Sequence, residues 1–290
     1  TIDGKVMAVA FMANTQHLYV RTDVLKANGI AIPKTYEDVV AASEKIRAAG
    51  KMKYPYAAAY KAGWNLAEEF VNMYIGHGGE FFEAGTAKPS INNAKGVATL
   101  NMLKKLANLS NPDYLTHDSE AIKVEWESGN VAIMTLWASR SGTLLDDEGD
   151  AKITAATKLV APATVGGGNI PAATLWWDGF TLAKNRPDAD AEASFRAMAH
   201  AASSKEMVAK AADQAVWLVE GFVPGPKSVG VIEAVKMGAK PYPMLPQMGL
   251  MHGALGSEIV EFLQGNESAE QALKDVEAAY NTKAKEQGFL

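Results

Sequence analysis

The chain has 290 residues, 48% hydrophobic and 21% charged, with a formal net charge of −5 and no cysteine. That length can bury the cores of two ordinary domains, and the balance of apolar to charged residues is that of a globular protein. The missing cysteines exclude disulfides, thiolate nucleophiles and Cys-ligated zinc, and the absence of any basic run or stripe argues against nucleic acid or anionic membrane as a partner.

In chain order, Asp3-Gly4-Lys5 opens a strand-like run to Phe11. Then come Asn14-Thr15-Gln16-His17-Leu18-Tyr19-Val20-Arg21, a short helix-like stretch, and Pro33-Lys34-Thr35-Tyr36-Glu37-Asp38. Thr35 and Asp38 have the spacing of a helix-capping box, and Tyr36, Val39, Val40 and Ile46 follow at helical period until Gly50. Leu66, Phe70, Met73 and Tyr74 share one helical face, closed by Gly76, Gly78 and Gly79; Val97, Leu100, Leu103 and Ala107 make another. Val131 to Leu136 is a short, continuously apolar or β-branched run, the pattern of a strand buried on both faces. A further strand is expected from Ile153 to Val160, stopped by Pro162, and its continuation from Leu175 to Leu182 beyond the Gly166–Gly168 loop. Asp188 or Asp190 caps a helix through Phe195, Met198 and Ala202, and Ser268 with Gln271 forms a second capping box before Leu273, Val276 and Tyr280. The alternation of strands and helices predicts an α/β architecture.

Motifs for catalysis are sparse. The five histidines are scattered without ligand spacing, which leaves a zinc hydrolase unsupported. Gly76-His77-Gly78-Gly79 has the look of an esterase oxyanion loop, yet the chain has no Gly-x-Ser-x-Gly nucleophile elbow. The triple glycine at 166–168 lacks the Gly-Lys-Ser/Thr sequel of a phosphate cradle, and the acidic cluster Asp146, Asp147, Glu148, Asp150 does not fit an EF-hand loop. Neither a metal nor a cofactor is expected. A glycoside hydrolase, which needs only two placed carboxylates and aromatic platforms, stays open as the alternative function.

The order of segments resembles the solute-binding proteins of ABC importers, the extracellular family 1 that includes maltose-binding proteins. The likeness runs through the opening crossing, Trp64 ahead of the Leu66 helix, Gly78-Gly79, Glu125-Trp126-Glu127-Ser128-Gly129, Leu136-Trp137-Ala138-Ser139, and Trp177-Asp178-Gly179-Phe180. It ends with Pro246-Gln247-Met248 and Ala269-Glu270-Gln271-Ala272-Leu273-Lys274-Asp275. The resemblance implies a type II periplasmic-binding-protein fold of two hinged lobes. Residues 1–10 and 150–215 are then what remains of the first lobe, and 11–149 and 216–290 make the second. In the family the crossing lies about a hundred residues into the mature chain, so the first lobe is expected to be incomplete here. A preceding segment or another chain would complete it; without one, Val6–Phe11 and Leu175–Leu182 would lack strand partners and expose their apolar faces. Ala10 departs from the proline usual before the crossing.

By the same resemblance the protein captures a mono- or oligosaccharide, or a polyol, between its lobes. It then docks on an importer permease in the periplasm or at the cell surface, any export signal having been removed. Sugars present hydroxyls and flat C–H faces, and indole matches the latter with a large rigid surface. Trp64, Trp137 and one of the adjacent Trp176 and Trp177 are the expected platforms. Neighbours on a strand point to opposite faces, so only one of that pair can reach a common cleft, and Trp177 is the one chosen. Asn14, Gln16 and Asp178 are expected to meet hydroxyls, Arg140 to fork onto hydroxyls or a carboxylate, and His252 to stand where relatives place an aromatic. Trp126 and Trp217 are read as packing.

Overall fold

The computed structural model describes residues 4–146 and 149–290, apart from the side chain of Met207; Asp147 and Glu148 of the acidic cluster lie outside the described residues. The first half runs β1 (Val9–Asn14), β2 (Gln16–Arg21), α1 (Thr22–Ala27), α2 (Tyr36–Ala48), β3 (Tyr56–Ala57), α3 (Trp64–Gly76), α4 (Ala94–Ala107), α5 (Ser119–Glu127), β4 (Ile133–Trp137) and α6 (Ser141–Leu144). The second half runs α7 (Ala151–Ala156), β5 (Thr157–Val160), β6 (Thr174–Phe180), α8 (Asp188–Ser203), α9 (Lys205–Lys210), β7 (Val216–Trp217), α10 (Val229–Lys236), β8 (Lys240–Pro241), α11 (Met248–Gln264) and α12 (Ala269–Glu286).

Among the described residues two four-stranded sheets carry the fold, in the orders β7-β1-β6-β8 and β3-β4-β2-β5. β1 and β2 are consecutive in the chain and separated only by Thr15, yet they belong to different sheets. The chain therefore crosses between sheets at residues 14–16, and crosses back between β5 and β6. β2 is buried along its whole length and pairs antiparallel with both β4 and β5. β1 pairs antiparallel with β6, Ala13 opposite Trp177 and Asn14 opposite Trp176.

The predicted helices form, but not every predicted cap does: α8 starts at Asp188 behind Pro187 with no side-chain cap, so neither Asp188 nor Asp190 caps it. Thr35 and Asp38 make a reciprocal capping box at the start of α2, which satisfies backbone N–H groups that the first helical turn leaves without partners. Ser268 caps α12 by accepting from Gln271 N–H, while the Gln271 side chain turns to Asp275 instead of closing the box. The main core lies between the β3-β4-β2-β5 sheet and α2, α3, α4, α11 and α12, with Leu18, Ile46, Phe70, Leu103, Leu255 and Val276 fully buried.

Three expectations need correction. Residues 151–156 are helix, not strand, because the Asp150 side chain accepts from Lys152 and Ile153 N–H at 2.8 and 3.3 Å and a run rich in alanine follows. β5 then pairs with β2, so residues 157–160 lie in the sheet assigned to the second lobe, and the return crossing falls just before Thr174. In the same way β7 and β8 join the sheet of β1 and β6, which takes residues 216–217 and 240–241 out of the second lobe.

The expectation that the strands at Val6–Phe11 and Leu175–Leu182 lack partners also fails, because β1 and β6 pair with each other. The exposure of their outer face does not fail: Val6 is 71% and Val9 40% exposed, and Phe180 is half-buried. With Leu182, Phe195, Met198 and Leu218 they line a groove of about 760 Å³ beside α8, a helix with no buried residue.

Candidate ligand-binding cleft

Where the two sheets meet, aromatic side chains converge from five parts of the chain. Trp64 opens α3, Trp137 ends β4, Trp176 lies in β6, Tyr242 follows β8, and His252 is on α11. The Trp64 ring centroid is 6.2 Å from that of Trp137, 5.8 Å from that of Trp176 and 5.0 Å from that of His252. Trp137 meets Trp176 edge-on at 6.0 Å, and Trp176 lies 4.4 Å from Tyr242. Trp64 is 50% exposed, so the cluster has an open mouth.

Backbone geometry places these rings. Gly63 precedes α3 at φ 97°, a conformation that favours glycine, and donates its N–H to Gly256 O at 2.9 Å. Gly256 allows that approach by having no side chain, since a Cβ there would stand 2.3 Å from Gly63 O. The contact sets the start of α3 against α11, with Trp64 over His252.

His252 is fixed at both nitrogens. Nε2 donates to Trp64 O at 3.0 Å, which leaves Nδ1 to accept from Tyr242 Oη at 2.9 Å. Burial holds its pKa below the usual histidine value and raises that of Tyr242, so both rings are neutral at pH 7. The Trp137 carbonyl accepts from Tyr19 Oη at 2.9 Å, which anchors the end of β4.

The structure brings together Trp64, Trp137 and His252 of the expected residues. Trp177 is a correction: it is 49% exposed, on the face of β6 opposite Trp176, and Trp176 is the member of the pair that joins the cluster. Asn14 spends its amide on the crossing, donating to Ser139 Oγ at 3.1 Å and accepting from Ser139 N–H at 3.2 Å. Gln16 is buried, accepts from Asn72 Nδ2 at 3.2 Å and bonds Glu69, so it supports the crossing from behind instead of meeting solvent. Arg140 pairs with Glu120. Asp178 is exposed, and partial burial of its carboxyl raises its pKa. Trp126 is fully buried, and Trp217 donates to Ala211 O at 2.8 Å.

Sequence reasoning missed Tyr242 and the polar layer behind the rings, made of Glu68, Glu69, Asn72 and Thr174. Tyr242, between Pro241 and Pro243, gave no periodic signal. The spacing Trp64, Glu68, Asn72 did, as one helical stripe. Among the described residues no group of three His, Asp or Glu side chains could hold a metal ion. The cleft offers flat apolar faces rimmed by neutral polar groups, a surface suited to an uncharged ligand with C–H faces.

This architecture is the type II periplasmic-binding-protein fold. The chain superposes on the maltose-bound MalE3 of T. maritima with a TM-score of 0.81 at 20% identity, covering 97% of this chain and 74% of that one. A ribitol complex of an ABC transporter solute-binding protein from Agrobacterium radiobacter K84 gives 0.81 at 19% identity, with 97% and 72% covered. One from Agrobacterium vitis S4 with bound D-mannitol gives 0.80 at 18%, with 99% and 75% covered.

The sequence narrows the class to a family. The model of the bacterial extracellular solute-binding proteins matches residues 1–209, and the chain belongs to that family. A curated relative from Deinococcus radiodurans, named "Probable ABC transporter-binding protein", is 30% identical over 193 residues, 64% of this chain and 44% of that protein. The match thus spans less than half the length of the curated relative.

Proposed function

We propose that this protein captures a carbohydrate, a mono- or oligosaccharide or a polyol, reversibly and without chemical change, and delivers it to the permease of an ABC importer outside the cytoplasm. The observation that carries the reading is the open cluster of Trp64, Trp137 and Trp176 at the junction of the two sheets. Family membership supports it, as do the maltose, ribitol and D-mannitol named in the neighbouring structures. The two sheets act as lobes that hinge at the crossings near residues 14–16 and before Thr174. Asp178 stands within this account as a rim group, and Asn14 and Arg140 do so once released from Ser139 and Glu120.

A thermal-shift panel of maltose, ribitol, D-mannitol and related sugars tests it. A ligand at a hundred times its dissociation constant adds about 2.7 kcal/mol to stability, and the sugar should be recovered intact after incubation. No shift across the panel counts against carbohydrate capture, and a hydrolysed sugar would make the protein a glycosidase.

A further inference from the structure

Behind the aromatic cleft lies a buried carboxyl that holds one of its walls. Glu68 is fully buried on α3, one turn after Trp64 and one before Asn72, so the three residues form a single stripe facing the start of β6. Glu68 Oε1 accepts from Trp176 Nε1 at 3.1 Å and lies 2.8 Å from Thr174 Oγ1. Trp176 Nε1 shares its proton with Thr174 Oγ1 at 2.8 Å. Asn72 Oδ1 accepts from Thr174 N–H at 2.8 Å and lies 2.7 Å from Thr174 Oγ1.

The surroundings of this group favour its neutral state. Thr174 Oγ1 has one proton and two oxygen neighbours at hydrogen-bond distance, Asn72 Oδ1 and Glu68 Oε1. Asn72 presents its oxygen here, because that atom accepts from Thr174 N–H while Nδ2 donates to Gln16. Asn72 Oδ1 cannot donate. The Thr174 hydroxyl can donate to Asn72 Oδ1 or to Glu68 Oε1, and among the described residues no cationic side chain partners the Glu68 carboxyl. The second oxygen, Glu68 Oε2, is buried without a partner, a costly position for a carboxylate and a cheaper one for a neutral acid.

We propose that Glu68, as a neutral acid, is a positioning residue for ligand capture: it fixes the Trp176 indole in the cleft and ties the start of β6 to α3, so that capture is lost when it ionises. The proposal rests on the carbohydrate reading for its ligand, though not for its geometry.

The titratable groups around Glu68 are all uncharged partners or competing acids. Tyr242 faces it across Trp176 and is bonded in turn to His252. Glu69, next along α3, is also fully buried, bonds Gln16, and faces the phenols of Tyr36, Tyr56 and Tyr60. Burial pushes Glu68 up to about 8 from the ordinary 4.5, and its hydrogen bonds offset this only in part. The sign follows: the bonded neutral form is fully in place below the ordinary value and is lost as pH rises through about 8.

The test compares the wild type with Glu68→Gln, Glu68→Leu, Glu69→Gln and Trp176→Phe, each confirmed folded by circular dichroism. Glutamine can present a neutral oxygen that accepts from Trp176 Nε1 and the Thr174 hydroxyl but cannot ionise. Tryptophan emission of the unliganded protein between pH 6 and 9.5 should show a transition near pH 8 in the wild type and in Glu68's neighbour variant Glu69→Gln, and none in Glu68→Gln or Trp176→Phe. With maltose, ribitol and D-mannitol as probes, wild-type affinity should fall about thirtyfold by pH 9.5, the reciprocal of the neutral fraction. Glu68→Gln should match the wild type at pH 6.5 and stay flat with pH, while Glu68→Leu should bind at least about tenfold more weakly at every pH. A wild-type emission that does not titrate, or a transition that survives Glu68→Gln, overturns the proposal. If emission behaves as stated and no probe binds, the carbohydrate reading falls and the positioning role of Glu68 stands.

Discussion

Replacing Trp137 or Trp64 by alanine is expected to weaken carbohydrate binding by about 2 kcal/mol, roughly thirtyfold in Kd. Each ring contributes a flat apolar surface at the mouth of the cleft, and neither is deeply packed: Trp64 is 50% exposed and Trp137 half-buried. Truncation therefore removes ligand contact while costing little stability. Trp176→Ala should weaken binding comparably, and it also strands the Glu68 and Thr174 groups that its indole now satisfies. Trp177→Ala is the control, because that ring lies on the opposite face of β6 and should leave affinity within about twofold. Calorimetric titration of the four variants with the best panel sugar decides the point. Equal losses at Trp177 and Trp176, or none at Trp64 and Trp137, would move the ligand elsewhere.

Gly256→Ala is expected to damage both stability and binding, out of proportion to one methyl group. The added Cβ would stand 2.3 Å from Gly63 O and 2.6 Å from Gly63 C, backbone atoms that cannot swing aside. α11 must then move away from the start of α3, breaking the Gly63 N–H to Gly256 O bond and parting Trp64 from His252. Overpacking of this kind costs about 1–3 kcal/mol, and the lost hydrogen bond adds to it. Gly253→Ala, on the same helix with nothing within 4 Å of the new Cβ, should instead be neutral or stabilise by up to about 1 kcal/mol. Denaturant midpoints of the two variants measure the difference. If they shift alike, the close approach of α3 and α11 is not what seats Trp64.

Much of the fold was legible because local signals agreed with one another. The Thr35 and Asp38 cap, the apolar face of α3 and the buried run of β4 each combine period, punctuation and residue type. The reading failed where those signals compete. Ile153 and Thr154 suggest a strand, yet Asp150 and the alanines around them start a helix. The sheet to which β5 belongs is set by pairing with a strand more than a hundred residues earlier, which no local window contains.

In the cleft, Trp64 and Trp137 are expected from family position and chemistry and lie side by side, whereas the choice between Trp176 and Trp177 needed the register of β6 against β1. Glu68 was passed over for a different reason, although its spacing from Trp64 and Asn72 marks a helical stripe. An acidic residue in an amphipathic helix reads as solvated surface, and only the arrival of Thr174 and Trp176 from the other sheet gives its carboxyl partners away from water.

The central claim is that a carbohydrate is held between two sheets that close on it. Small-angle scattering with and without a saturating panel sugar tests this most directly, since hinge closure about the crossings brings the lobes together. The account predicts a smaller radius of gyration in the bound form. An unchanged radius at full occupancy would contradict it and point to a fixed pocket instead of a closing cleft.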